Sequence, residues 1–231
     1  MDYRTLFYFD IETVGQYKDF ETFKSENPRG AALFQKKYDN TQYMKENSSC
    51  VDEAYLSNSA LHPVYGKIIC FSYGYFTDKN EKGYTISSYY SHDERELITK
   101  IVQMLDRVSL KPMLLSGYGI NFFDVPYLVH KINKYDLKLP LILDNYDKKP
   151  WEIKTFDLSE KWKAGFKYYT SLDEVCYEMD IDSPKDDISG SEVHEVYWGG
   201  TYWNDDNLIR IKTYCEKDVY SSMLVGKKML Q

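Results

Sequence analysis

Hydrophobic and polar positions alternate between two periods along the chain, and the changes of period mark the elements. LFYFDIETVG (6–15) opens as an unbroken apolar and aromatic run, which predicts a buried strand over 5–12. Residues 16–65 are polar and contain many Lys and Asn, with a helix expected near 17–38 and a short one near 51–60. They read as an insertion, polar at about 16–58, without a core of its own. GKIICFSYGYF (66–76) and YTISSYY (84–90) are dense in β-branched and aromatic residues and flank the turn-forming TDKNEKG (77–83), so 66–90 reads as a hairpin. In 91–108, Leu97, Ile98, Ile101, Val102 and Leu105 repeat with helical spacing behind Ser91 and Glu94, a pair of capping-box form. PMLLSGYGI (112–120) predicts a fourth strand, and NFFDVPYLVHKINKY (121–135) a helix that tolerates Pro126 only in its first turn. Residues 139–170 are irregular, with short strands expected at 140–143 and 153–158. A helix begins at Ser171, a loop and a short helix occupy 183–200, and a last helix runs from about 205 to the end. This order predicts one α/β domain over 1–231, a mixed sheet flanked by helices with an insertion after strand one.

Composition narrows the function classes. A net charge of −7 argues against a charge-driven coat on DNA, which needs a basic face. It leaves room for an enzyme that grips a few nucleotides at a metal site, because bound cations reverse the local charge. The four cysteines (Cys50, Cys70, Cys176 and Cys215) contain no C-x-x-C pair and fit neither a zinc site nor a disulfide framework. Free thiols, no signal-peptide pattern and no membrane-length apolar run predict a soluble cytosolic (cytoplasmic) protein.

The candidate chemistry lies in the carboxylates. Residues i and i+2 of a strand share a face, so Asp10 and Glu12 converge. Two like charges closing an apolar strand are costly to keep without a partner, and a divalent metal is the simplest one. A solvated strand end is the plainer reading of D-x-E alone, and it suffices for the second copy at Asp19 and Glu21 in polar sequence. Asp124 follows strand four at a helix start. It arrives near Asp10 if strand four neighbours strand one, or it serves only the helix dipole, with Asn121 as the cap. Tyr214 and Asp218, four apart in the last helix, share a face beside the apolar stripe of Leu208, Ile211, Cys215 and Val219; an exposed helix face explains them equally well.

In their order along the chain, FDIET (9–13), NFFDVPYL (121–128) and YCEKDV (214–219) resemble the motifs of the DEDD superfamily of 3′–5′ exonucleases. The Tyr four residues before the last Asp resembles its tyrosine-type (DEDDy) branch, and the closest likeness is to the proofreading exonuclease of family B DNA polymerases and its stand-alone relatives. ALHPVYGKIICFS (60–72) and SPKDDISGSEV (183–193) also resemble segments of those stand-alone proteins. The pattern departs from the family at Gly119, where family B exonucleases often carry Asn; the nearest Asn is Asn121. The resemblance implies a ribonuclease H-like fold and two divalent cations, Mg²⁺ or Mn²⁺, held by Asp10, Glu12, Asp124 and Asp218, with Tyr214 orienting the attacking water. It implies removal of nucleoside 5′-monophosphates from the 3′ end of single-stranded DNA, in replication, proofreading or repair. Substrate contacts are expected from Thr13, Asn121, Phe123 and, in the SPKDDISGS loop, Lys185. The length leaves no room for a polymerase domain, so proofreading would serve a DNA polymerase or other replication proteins in trans. The same carboxylates would serve an exoribonuclease. A reading from another class is an inactive exonuclease fold kept as a nucleic-acid-binding adaptor, against which the complete set of carboxylates with the Tyr counts. The insertion is expected to cover the substrate end as a lid or guide.

Overall fold

The structure, a computed structural model, describes residues 1–79, 81–149, 152–182, 187–199 and 205–231. In chain order its elements are β1 (Leu6–Gly15), α1 (Phe20–Glu26), α2 (Pro28–Asn40), α3 (Gln42–Asn47), α4 (Val51–Asn58), β2 (Gly66–Phe76), β3 (Tyr84–Tyr90), α5 (Glu94–Ser109), β4 (Leu114–Gly117), α6 (Asp124–Lys134), β5 (Thr155–Asp157), α7 (Leu158–Lys163), α8 (Leu172–Glu178), α9 (Val193–Trp198) and α10 (Asp205–Leu230). The five strands form one mixed sheet in the order β3-β2-β1-β4-β5. β1–β2 and β2–β3 are antiparallel, and β1–β4 and β4–β5 are parallel.

β1 is central because its sequence is apolar on both faces, as a strand covered on both sides must be. Phe7, Phe9 and Ile11 pack with α5 and α6, while Leu6 and Tyr8 pack with α8 and α10. Val14 lies on the second side too, in a separate cluster with α9 and the first half of α10. Opposite the step from Glu12 to Thr13, β2 carries one extra residue, Ile69. This bulge changes the pleat of β2. Phe71 and Ile68 both pack on the α5 side, Ile69 and Cys70 both on the α10 side, and the Lys67 ammonium donates to the Tyr197 hydroxyl of α9 at 2.9 Å.

Several expected elements differ. The helix expected over 17–38 is two, because the Asn27 side chain caps α2 by accepting from the Gly30 N–H and Pro28 occupies its first position. The insertion has a core after all: Phe20, Phe23, Phe34, Tyr55 and Tyr65 gather into a buried aromatic cluster separate from those against the sheet. Ser91 and Glu94 form no capping box. Asp93 caps α5 by accepting from the Glu96 N–H, and Glu94 is buried against Lys131 at 3.1 Å. Residues 140–143 make a turn rather than a strand, closed by the Leu143 N–H on the Pro140 carbonyl. β4 is shorter than expected because the chain turns at Gly119, where φ is +78°. Asn121 lies in that turn and does not cap α6, which begins at Asp124. Among the described residues, no helix is long and apolar enough to cross a membrane.

Candidate active site

The β1 face toward α10 runs Leu6, Tyr8, Asp10, Glu12, Val14, with the two acids between two apolar clusters. β4 pairs with β1 only over Leu6–Tyr8, so the β1 edge beyond it lacks a strand partner on that side. Asp124 meets this edge: its carboxylate accepts the Ile11 N–H at 3.1 Å from the first position of α6. α10 crosses the same face and brings Tyr214 and Asp218, four residues apart and linked by a side-chain hydrogen bond. Asp10, Glu12, Asp124, Tyr214 and Asp218 all line one cleft of about 730 Å³, together with Phe122 and Phe123. Glu12, Asp124 and Tyr214 are buried, and Asp10 and Asp218 are half-buried.

The acids strain one another. Burial, then Asp124 and Asp218, push the Asp10 carboxyl well above the usual carboxylate range, against a hydrogen bond from Cys215. Burial, then Asp10 and Asp218, do the same to Glu12. Burial carries Asp124 to about 7 despite the Ile11 N–H and its own N–H, and Asp157 and Asp218 add to the rise. Burial, then Asp218, Glu12 and Asp10, hold Tyr214 above the ordinary tyrosine range, so it stays a phenol. One ligand atom each from Asp10, Glu12 and Cys215 lies within 4.8 Å of the others. The Cys215 thiol is pushed well up, first by burial and then by Cys70, and it donates to the Asp10 carboxylate at 3.3 Å and to the Asp10 carbonyl at 3.5 Å. It therefore holds Asp10 in place, and carboxylate oxygens are left as the donors. Such a set fits a hard divalent cation.

Other expected contacts fall elsewhere. Thr13 is on the opposite face from Asp10 and Glu12, and its hydroxyl donates to the Ala60 carbonyl at 2.9 Å rather than into the cleft. Asn121 lines a neighbouring cavity, its side chain on Glu160 at 3.0 Å. Phe123 reaches the cleft while packing on Tyr127, ring centroids 5.3 Å apart, so it serves core and cleft together. Phe122 is the more exposed ring of the pair, at 74%. Lys185 lies outside the described residues. None of the described residues lining the cleft comes from 16–65, so the lid expected of the insertion is not where the acids are.

Two residues went unnoticed in the sequence. Cys215 was counted only as a free thiol and as part of the apolar stripe of α10. Asp157, 1% exposed, accepts the Gly119 and Asn121 N–H groups at 3.0 and 2.8 Å and the Ser159 N–H at 2.9 Å. It thereby fixes the turn that carries Phe122, Phe123 and Asp124, and caps α7. An acid closing a short apolar strand, followed by Ser and Glu, is a helix-start signal that could have found it.

The mixed sheet and its flanking helices define a class, and a family model of the RNase_H superfamily matches residues 58–230. The chain belongs to the RNase_H superfamily. It is 27% identical over 183 residues to DNA polymerase 1 of Pyrococcus abyssi, covering 71% of this chain and 22% of that protein. It is 27% identical over 146 residues to a DNA polymerase of Pyrococcus glycovorans, covering 58% of this chain and 18% of that protein. The family B DNA polymerase from the hyperthermophilic archaeon Pyrobaculum calidifontis matches it with a TM-score of 0.58 and 16% identity over 97% of this chain and 24% of that one, a likeness of fold. The chain thus spans about a fifth of the length of these curated relatives.

Proposed function

We propose that this chain is a metal-dependent 3′–5′ exonuclease that removes nucleoside 5′-monophosphates from the end of single-stranded DNA. The observation that carries the reading is the set of four carboxylates from β1, α6 and α10 on one cleft, where the groups raising the Asp10 and Glu12 carboxyls are other acids and a thiol. Asp10, Glu12, Asp124 and Asp218 would hold divalent cations, Mg²⁺ or Mn²⁺. Such ions, when bound, neutralise developing charge on a phosphodiester and lower the pKa of water. The chain's own residues do the rest. The central strand and two helices hold the acids rigidly. Cys215 fixes the Asp10 carboxylate, and Tyr214, a neutral phenol beside Asp218, orients the attacking water by its hydroxyl. The similarity to DNA polymerases favours DNA as substrate and replication or repair as the setting, with any polymerase partner acting in trans.

The test uses 5′-labelled single-stranded DNA and RNA of one sequence with Mg²⁺ or Mn²⁺, beside EDTA and Asp10→Ala controls. A metal-dependent ladder shortening from the 3′ end, stronger on DNA and lost in Asp10→Ala, is the expected result. Shortening of RNA alone would move the assignment to an exoribonuclease. Binding without shortening would make the chain an adaptor.

A further inference from the structure

Residues from the segment 159–170 line the cleft beside the carboxylates. α7 ends at Lys163, and the chain turns through Ala164 and Gly165, both left-handed at φ +45° and +94°. It then runs back along the cleft, where the Tyr118 hydroxyl donates to the Thr170 carbonyl and ties down its far end. Between these fixed points stand Tyr168 and Tyr169, 79% and 82% exposed, and both line the cleft that holds the carboxylates. Phe122, 74% exposed, lines it from the turn before α6. Lys163 lines the cleft as well, and Lys167 precedes the tyrosines. Large rings left in water beside an acidic site are not explained by core packing. Flat aromatic faces with cations alongside are what successive bases and their phosphates require.

We propose that Tyr168, Tyr169 and Phe122 form a base-stacking cradle for the last nucleotides of a single strand whose terminal phosphodiester lies at the carboxylates. The proposal rests on the reading that the cleft takes a nucleic-acid end, and it adds which residues grip that end and how. Stacking uses the π-face that every base has, so the cradle holds any sequence and requires bases to be present and unpaired. Lys163 contributes attraction for the backbone.

The test is binding rather than turnover. Fluorescence anisotropy of a 5′-labelled single strand is read with Ca²⁺ and with EDTA, for the intact strand and for strands abasic at each of the last three positions. Tyr168→Ala with Tyr169→Ala is expected to weaken the intact strand by about tenfold, the scale of one stacked base. Phe at both positions is expected to keep the affinity, and Tyr177→Ala, an exposed ring on α8 away from the cleft, to leave it unchanged. An abasic site at a position the two tyrosines stack should weaken wild type by a similar factor and leave the double Ala variant unmoved, which a merely structural role for the tyrosines would not produce. Thermal unfolding of each variant checks that it is folded. Wild type binding intact and abasic strands alike would overturn the cradle and leave the exonuclease reading standing. Wild type binding no strand in either condition would remove both.

Discussion

Glu94 and Asp124 are both buried, and each opens its helix, yet they sit in opposite surroundings. Burial alone would raise Glu94, but Lys131, the Tyr135 hydroxyl, Lys134 and the Ile68 N–H together bring it below the usual carboxylate range. Asp124 is raised by burial first, has two backbone N–H groups against two neighbouring acids, and ends at about 7 against an ordinary 3.8. The folded protein therefore holds the Asp124 proton more tightly than the unfolded chain does, and its stability falls as pH rises from about 4 through about 7 in the absence of metal. Asp124→Asn removes that fall. We expect metal-free wild type to lose on the order of 3 kcal/mol relative to Asp124→Asn across this window, read by urea unfolding at successive pH values. Taking the difference cancels the acid loss from Glu94, which both proteins share: its lowered value gives stability that is present above pH 4.5 and lost as pH falls through the folded value. Mn²⁺ should reverse the sign, stabilising wild type and not the variant. A flat difference would mean that Asp124 is not strained.

α10 carries Tyr214 and Asp218, and what seats it is a glycine. A Cβ on Gly226 would meet the Tyr8 hydroxyl at 2.4 Å and its ring carbons at 2.8 and 3.0 Å, so this helix lies on β1 only because the position is bare. Ala would gain about 1 kcal/mol of helix propensity and cost about 1–3 kcal/mol in overpacking. Gly226→Ala should thus be destabilised by up to about 2 kcal/mol, with kcat lowered as Asp218 is levered off the β1 carboxylates. Tyr8→Phe should relieve part of this in a double-mutant cycle, since the shortest clash is with the hydroxyl; no relief would place the strain elsewhere. Elements with a strong period were legible in the sequence. Leu97 to Leu105 marks α5, Leu208 to Val219 marks α10, and the two-sided apolar run marks the central strand. The site was legible to the same degree, because alternation puts Asp10 and Glu12 together and helical spacing puts Tyr214 beside Asp218. Thr13, expected to contact substrate, is sent to the other face by that same alternation. The three residues of β5 are too few for a period to show, and Asp157, the acid at its end, was missed with it.

At the scale of the whole molecule, the insertion's rings were illegible because Phe20, Phe23, Phe34, Tyr55 and Tyr65 come from three helices and the residue before β2, follow no common period and meet only in space. Their cluster is separate from those against the sheet, and it is tied on at the far end of β1. There His194 accepts the Gly15 N–H and its other nitrogen meets the Lys18 carbonyl, each at 3.0 Å, while the Gln16 N–H reaches the Tyr65 carbonyl at 2.9 Å. We expect α1–α4 to open as a unit below the free energy of global unfolding. In native-state hydrogen exchange, peptides from 20–58 should exchange ahead of those from 6–14 and 66–76; equal protection would show one cooperative body. The bulge at Ile69 has a consequence for how this chain can vary. It sets the reading frame of the pleat: were the same residues paired without the bulge, each side chain of β2 before Cys70 would change face, as codons change after a frameshift. Lys67 would be turned into the apolar layer under α5, and Ile68 out toward Tyr197. Loss of Ile69 itself would keep the frame, because it leaves Ile68 opposite Thr13 and Lys67 opposite Val14.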